Sequence, residues 1–161
     1  MLNSHMFTMC VGHAVMEIDT VGTFTMCKTA FGALSKSISP AIINISATLQ
    51  YGATWYQVMT RNIEFVSIVS SYDDATHHQV HASAAKAAVD SITRSLALEW
   101  GKFGIRVNGI APGPIDDTAG MAKLGPGEGK DLVVSSIPLG RMGRKWDIGM
   151  ACVFLSSSAA G

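Results

Sequence analysis

Between residues 81 and 115 the chain reads HASAAKAAVDSITRSLALEWGKFGIRVNGIAPGPI, and its apolar positions change period twice. Ala85, Ala88, Val89, Ile92, Leu96 and Trp100 recur at three- and four-residue steps, while Asp90, Arg94 and Glu99 fall mainly off that stripe. This spacing predicts a helix with one apolar flank lying on a sheet. Gly101 and Gly104 mark its end, Ile105, Val107 and Ile110 predict a short buried strand, and Pro112, Gly113 and Pro114 stop that strand abruptly. Earlier, Ile18, Val21, Phe24, Thr25, Ala30, Phe31 and Leu34 predict a long helix over 16–34, with Gly22 permitting close approach of a neighbour. A strand over 41–45 follows, bounded by Ser39 and Pro40, and the last pattern is an apolar helix over 146–155 with Asp147 in its first turn. Helices and strands in this order predict an α/β class, with ligand sites beyond the carboxyl ends of the strands.

Composition narrows the picture further. In 161 residues, 48% are hydrophobic and 15% charged, which suits a single domain with a sizeable core. The formal net charge is zero and no basic run occurs, so neither nucleic acid nor an anionic membrane is expected as a partner. No stretch reaches membrane-spanning length, and a soluble protein is expected. Cys10, Cys27 and Cys152 are odd in number and far apart, pointing to a reducing compartment and free buried thiols. His77 and His81 stand four apart, but no third ligand follows at a defined offset, so no metal site is expected.

Five segments in one order carry a resemblance: IDTVGTF (18–24), IINISATL (42–49), VHASAAKAAVD (80–90), LALEWGKFGIRVNGIAPGPI (96–115) and KWDIGMACVFLSS (145–157). From about residue 17 onward the chain resembles the later part of a short-chain dehydrogenase/reductase, in particular the peroxisomal-type 2,4-dienoyl-CoA reductases. The resemblance implies a Rossmann-like parallel sheet with flanking helices, lacking the N-terminal glycine-rich βαβ part, since no TGxxxGIG-type turn occurs. It implies NADPH as cofactor and a fatty acyl-CoA substrate, with reduction of 2,4-dienoyl-CoA thioesters in fatty-acid β-oxidation as the activity. A homo-oligomer through the helices around 16–35 and 81–101 is expected. So is a peroxisomal location, although the Ala159, Ala160, Gly161 ending is no SKL-type signal and by itself predicts a cytosolic default.

Residue by residue, the superfamily's Asn-Ser-Tyr-Lys tetrad falls on Asp19, Ala47, Ala82 and Lys86. Without the Ser and Tyr hydroxyls, a ketone oxygen has no acid to protonate it. A dienoyl thioester needs its proton at carbon instead, and the resemblance implies that Asp19 and Lys86 deliver it through a bound water. Lys86 is also expected on the nicotinamide ribose. The loop Pro112, Gly113, Pro114, Ile115 and Thr118 is expected at the carboxamide and diphosphate, where the glycine lets the backbone approach closely. Lys123 matches a basic position that contacts the CoA-bearing substrate. Arg106 and Asn108 read as structural, and Asp116 and Asp117 as turn or cap residues. Trp55 and Tyr56 are candidate walls of an acyl pocket.

The resemblance breaks between Tyr56 and Val80. Deleting 58–79 joins ATWYQ directly to VHASAAK, so this stretch reads as an insertion, and its Val and Gln ends are compatible with an in-frame retained intron. Two other readings stay open: a non-catalytic truncated family member that cannot hold a dinucleotide, and a reductase acting on another enoyl thioester.

Overall fold

A computed structural model describes residues 12–48, 79–122 and 128–161. A π-helical turn, Met16–Val21, runs without a break into helix α1 (Gly22–Leu34), and strand β1 (Ala41–Ile45) follows. Helix α2 (Gln79–Trp100) leads through a 3-10 turn at Gly101–Phe103 into strand β2 (Arg106–Ile110). Helices α3 (Ala119–Ala122), α4 (Glu128–Ser136) and α5 (Lys145–Ser156) complete the described elements, with a last 3-10 turn at Ser158–Ala160.

The two strands pair in parallel, Ala41 beside Arg106 and Ile45 beside Ile110. Parallel neighbours need a crossover, and α2 supplies its described part. The ladder continues past both strand ends: the Ser46 N–H donates to the Ile110 carbonyl at 2.8 Å and the Thr48 N–H to the Pro112 carbonyl at 3.1 Å. The loop after β2 is thereby held beside the end of β1.

The predicted apolar flank of α2 is the buried one. Ala85, Val89 and Leu96 are almost fully buried, and Leu96 joins Cys27, Ile105 and Val107 in a core edged by Phe31, Leu34, Ile42, Ile92 and Trp100. Phe31 packs on Trp100 at a ring separation of 4.8 Å and edge-on against Phe103 at 5.2 Å, so aromatic contacts lock the C-terminal end of α2 to α1. Gly104 ends the 3-10 turn at φ 72°, a left-handed conformation that glycine adopts without steric cost.

Three expectations need correction. The helix over 16–34 is not uniform: Gly22 N–H reaches back five residues to the Glu17 carbonyl, which widens the turn containing Asp19. Among the described residues no neighbouring element approaches Gly22 closely, since a Cβ there would meet the Glu17 carbonyl at an ordinary 3.5 Å. Asp90, expected off the apolar stripe, is nonetheless buried. Of the thiols, Cys27 is buried and Cys152 only half-buried, while Cys10 lies outside the described residues.

Candidate active site

Asp19 sits on the π-helical turn and Lys86 in the second turn of α2, far apart in sequence. The Lys86 Nζ lies 3.2 Å from the Asp19 Oδ1, with 21% and 30% of the two side chains exposed. Such partial exposure leaves both groups in reach of a solvent molecule. The Lys86 ammonium also donates to the Ile45 carbonyl at 3.5 Å, which places it at the carboxyl end of β1. Ala47 follows two residues later and Ala82 lies one helical turn before Lys86. At both matched positions a methyl group stands where the superfamily carries a hydroxyl.

The backbone around Lys86 is tied from both sides. Thr20 Oγ1 donates to the Ala85 carbonyl at 3.4 Å, and Ser46 Oγ donates to the Lys86 carbonyl at 3.2 Å. Below them runs a buried polar chain. Cys27 Sγ–H donates to Asn44 Oδ1 at 3.7 Å, Asn44 Nδ2 donates to Thr93 Oγ1 at 2.9 Å, and Thr93 Oγ1 donates to the Val89 carbonyl at 2.8 Å. Burial pushes the Cys27 thiol up from its ordinary value, with the Asn44 contact acting against it. This cysteine is therefore held as a neutral packing group.

The Pro/Gly loop lies at the same end of the sheet, through the bond from Thr48 to the Pro112 carbonyl. Ile115 forms an isolated parallel bridge with Gly143: Gly143 N–H donates to the Pro114 carbonyl at 3.0 Å and Asp116 N–H to the Gly143 carbonyl at 2.8 Å. Thr118 Oγ1 donates to the Ile115 carbonyl at 2.9 Å and accepts the Met121 N–H at 3.3 Å, capping α3. Asp116 and Asp117 behave as the anchoring residues expected of a turn, one paired with Lys130 at 3.0 Å and the other with Lys145 at 3.1 Å. The Lys130 contact, then the Asp117 N–H, hold the Asp116 carboxyl below its usual range. Arg106 is structural: its guanidinium donates to the carbonyls of Leu155, Ser156 and Ser157 at the end of α5.

The structure thus brings Asp19, Lys86 and the Pro112 loop to one end of the sheet. Lys123, Trp55, Tyr56, His77 and nearly all of the 58–79 stretch lie outside the described residues. Among the described residues no cluster of His, Cys, Asp or Glu could hold a metal ion, and no helix is long and apolar enough to cross a membrane. Sequence reasoning missed Thr20, Ser46, Asn44, Thr93 and Gly143. Only Thr93 carried a local signal, a threonine inside a helix able to bond back to the carbonyl four residues earlier.

These features define a Rossmann-like short-chain dehydrogenase/reductase fold. The family profile described as enoyl-(acyl carrier protein) reductase matches residues 54–161, and the chain belongs to that family. Among known proteins it is similar to the peroxisomal 2,4-dienoyl-CoA reductase, (3E)-enoyl-CoA-producing, of Arabidopsis thaliana: 48% identical over 151 residues, covering 88% of this chain and 43% of the relative. The chain therefore spans less than half the length of that relative. A solved short chain dehydrogenase from Bacillus anthracis superposes with a TM-score of 0.63 at 33% identity, covering 92% of this chain and 48% of the other. The structure titled ElxO with NADP bound shares the fold, with a TM-score of 0.65 at 22% identity over 87% of this chain and 48% of that one.

Proposed function

We propose that this chain carries the proton-delivering and nicotinamide-facing part of an NADPH-dependent 2,4-dienoyl-CoA reductase, acting in peroxisomal fatty-acid β-oxidation. The observation that carries the reading is the Asp19–Lys86 contact at 3.2 Å, at a strand end where positions 47 and 82 are both alanine. The identity to the Arabidopsis thaliana enzyme supplies the substrate class.

The donor set suits the nicotinamide half of a dinucleotide. An ammonium on α2 and the backbone of a Pro/Gly loop stand at one sheet end, the first matched to ribose hydroxyls and the second to a carboxamide. Lys86, Pro112, Gly113, Pro114, Ile115 and Thr118 would hold that half. NADPH held there would supply the hydride for the remote end of the diene. Asp19 and Lys86 would orient a water whose proton goes to carbon rather than to a carbonyl oxygen, the Lys86 ammonium returning a proton to the hydroxide that is left. The ammonium also offers positive charge near the thioester oxygen on which negative charge develops. Lys123 would add attraction for the CoA phosphates.

Exposed apolar side chains on the π-helical turn, α1 and α2, namely Ile18, Phe24 and Leu98, support a homo-oligomer through those surfaces. The test is consumption of NADPH with a 2,4-dienoyl-CoA in the full-length protein and in its Asp19→Asn and Lys86→Ala variants. Each variant is expected to lower turnover by about a hundredfold, in the range of a lost general acid. Undiminished turnover in both removes the pair from the chemistry. A parallel titration of NADPH into the chain separates the reductase from a non-catalytic family member, which gives no saturable fluorescence change.

A further inference from the structure

We propose that Thr20 and Ser46 are positioning residues, forming a two-sided hydroxyl clamp on the peptide groups of α2 that sets the Asp19–Lys86 distance. The inference rests on the proposed proton-delivering role of that pair for its catalytic consequence, but its structural content stands separately. Thr20 follows Asp19 on the π-helical turn and Ser46 follows Ile45 at the end of β1. Their hydroxyls donate to successive carbonyls of α2, Thr20 to Ala85 and Ser46 to Lys86. Each is thus one residue from a group that touches the Lys86 ammonium, since Asp19 Oδ1 and the Ile45 carbonyl are its partners among the described residues. The carboxylate and the backbone that carries the amine are fastened twice, from two elements, at the same turn.

The widened turn is part of the device. In a regular α-helix neighbouring side chains diverge by about 100°, and residues next to each other do not share a face. The five-residue reach from Gly22 to Glu17 widens the turn, and here Asp19 and Thr20 both address α2, one meeting Nζ of Lys86 and the other the carbonyl before it. π-turns recur at functional sites for such local re-aiming. A Thr or Ser within a helix or at a strand end is otherwise satisfied by its own segment. Thr20 Oγ1 also lies 4.0 Å from Met16 Sδ in its own helix, but its shorter contact, like that of Ser46, spans a long sequence separation, 65 and 40 positions, to the residue before the lysine and to the lysine itself.

Zero-length carbodiimide coupling reads the contact directly. It joins the Asp19 carboxyl to the Lys86 amine as an amide with loss of one water, and is quantified by peptide mass spectrometry. The Asp117–Lys145 pair, at 3.1 Å and on other elements, couples in the same sample as an internal standard. In the Thr20→Val, Ser46→Ala double variant the Asp19–Lys86 product is expected to fall by roughly tenfold or more against the standard, since an ångström of misplacement costs reacting groups up to about a hundredfold. Thr20→Ser keeps the hydroxyl and is expected to keep the product. Should the double variant not fold, Thr20→Val alone carries the comparison, with an intermediate loss. An unchanged ratio overturns the clamp. In the full-length protein the double variant should lower kcat with KM held, and Thr20→Ser should restore it. A lowered coupling ratio with unchanged kcat keeps the clamp and removes the pair from the reaction instead.

Discussion

Replacing Thr93 by valine takes one oxygen out of the middle of a buried polar chain while leaving the side-chain shape nearly unchanged. Asn44 and Thr93 are 7% and 8% exposed, so water cannot take over the lost bond without opening the packing. The Val89 carbonyl lies within the α2 ladder and loses only a second donor, but the Asn44 amide loses its Thr93 acceptor at 2.9 Å. A buried donor left unpaired costs about 1–3 kcal/mol, and the apolar methyl that replaces the hydroxyl returns about 0.8 kcal/mol. The expected net loss is about 1–2 kcal/mol, a fall in Tm of roughly 2–8 °C for a chain of this size. Urea unfolding followed by circular dichroism measures it, with Asn44→Leu and the double variant completing a cycle. If the bond exists, the double variant is more stable than the two single losses sum to, by about 1 kcal/mol. Additive losses, or a Thr93→Val midpoint equal to the parent's, would show that the amide does not depend on Thr93.

Two further outcomes test other parts of the fold. A Cβ on Gly143 would come within 2.6 Å of the Ile115 δ-methyl, so Gly143→Ala should force that side chain off its rotamer and lower stability by about 1 kcal/mol. Ile115→Val in the same chain should recover most of the loss in a thermal melt. The Asp147 carboxyl is held below its ordinary value of 3.8, first by the Arg144 N–H and then by the Arg141 guanidinium. A depressed folded pKa means stabilisation that is complete above 3.8 and lost as pH falls through the lower folded value. Tm against pH should therefore drop more steeply in acid for the parent than for Asp147→Asn, and the two curves should converge; parallel curves contradict the assignment.

Periodicity placed the elements well where one residue type decides them. Ala41–Ile45 is a strand at the expected positions, because β-branched residues between Pro40 and a polar turn leave few alternatives. The core stripe on α2 followed from the spacing of Ala85, Val89 and Leu96. The likeness to dienoyl-CoA reductases singled out Asp19 and Lys86, and the fold puts them in contact. The π-turn was not legible, since nothing in MEIDTV distinguishes a five-residue reach from the usual four. The burial of Asp90 was not legible either: its spacing marks it as off the apolar stripe, but burial also depends on what packs above it. Thr20, Ser46 and Asn44 act on residues 40 to 65 positions away, a separation that no local pattern encodes.

The distribution of apolar and polar contacts along α2 follows from what each can enforce. Toward Trp100 the helix is held by Phe31, Phe103, Ile105 and Leu34, contacts whose strength scales with buried area and which have little directionality. They fix that α2 lies on the sheet, and tolerate small slides along it. Toward Lys86 the buried Ala85 and Val89 are joined by hydrogen bonds from Thr20 and Ser46, each demanding a distance and an angle, while the Asn44–Thr93 bond lies midway. Between Lys86 and Trp100 lie about 21 Å of helix at 1.5 Å per residue. A rocking of a few degrees about the aromatic end would move the ammonium by an ångström or more, beyond the roughly half-ångström tolerance that the proposed water-orienting role would set. An apolar core alone leaves that motion free. The ties from Thr20 and Ser46, to the carbonyls of Ala85 and Lys86 themselves, oppose it where its amplitude is largest.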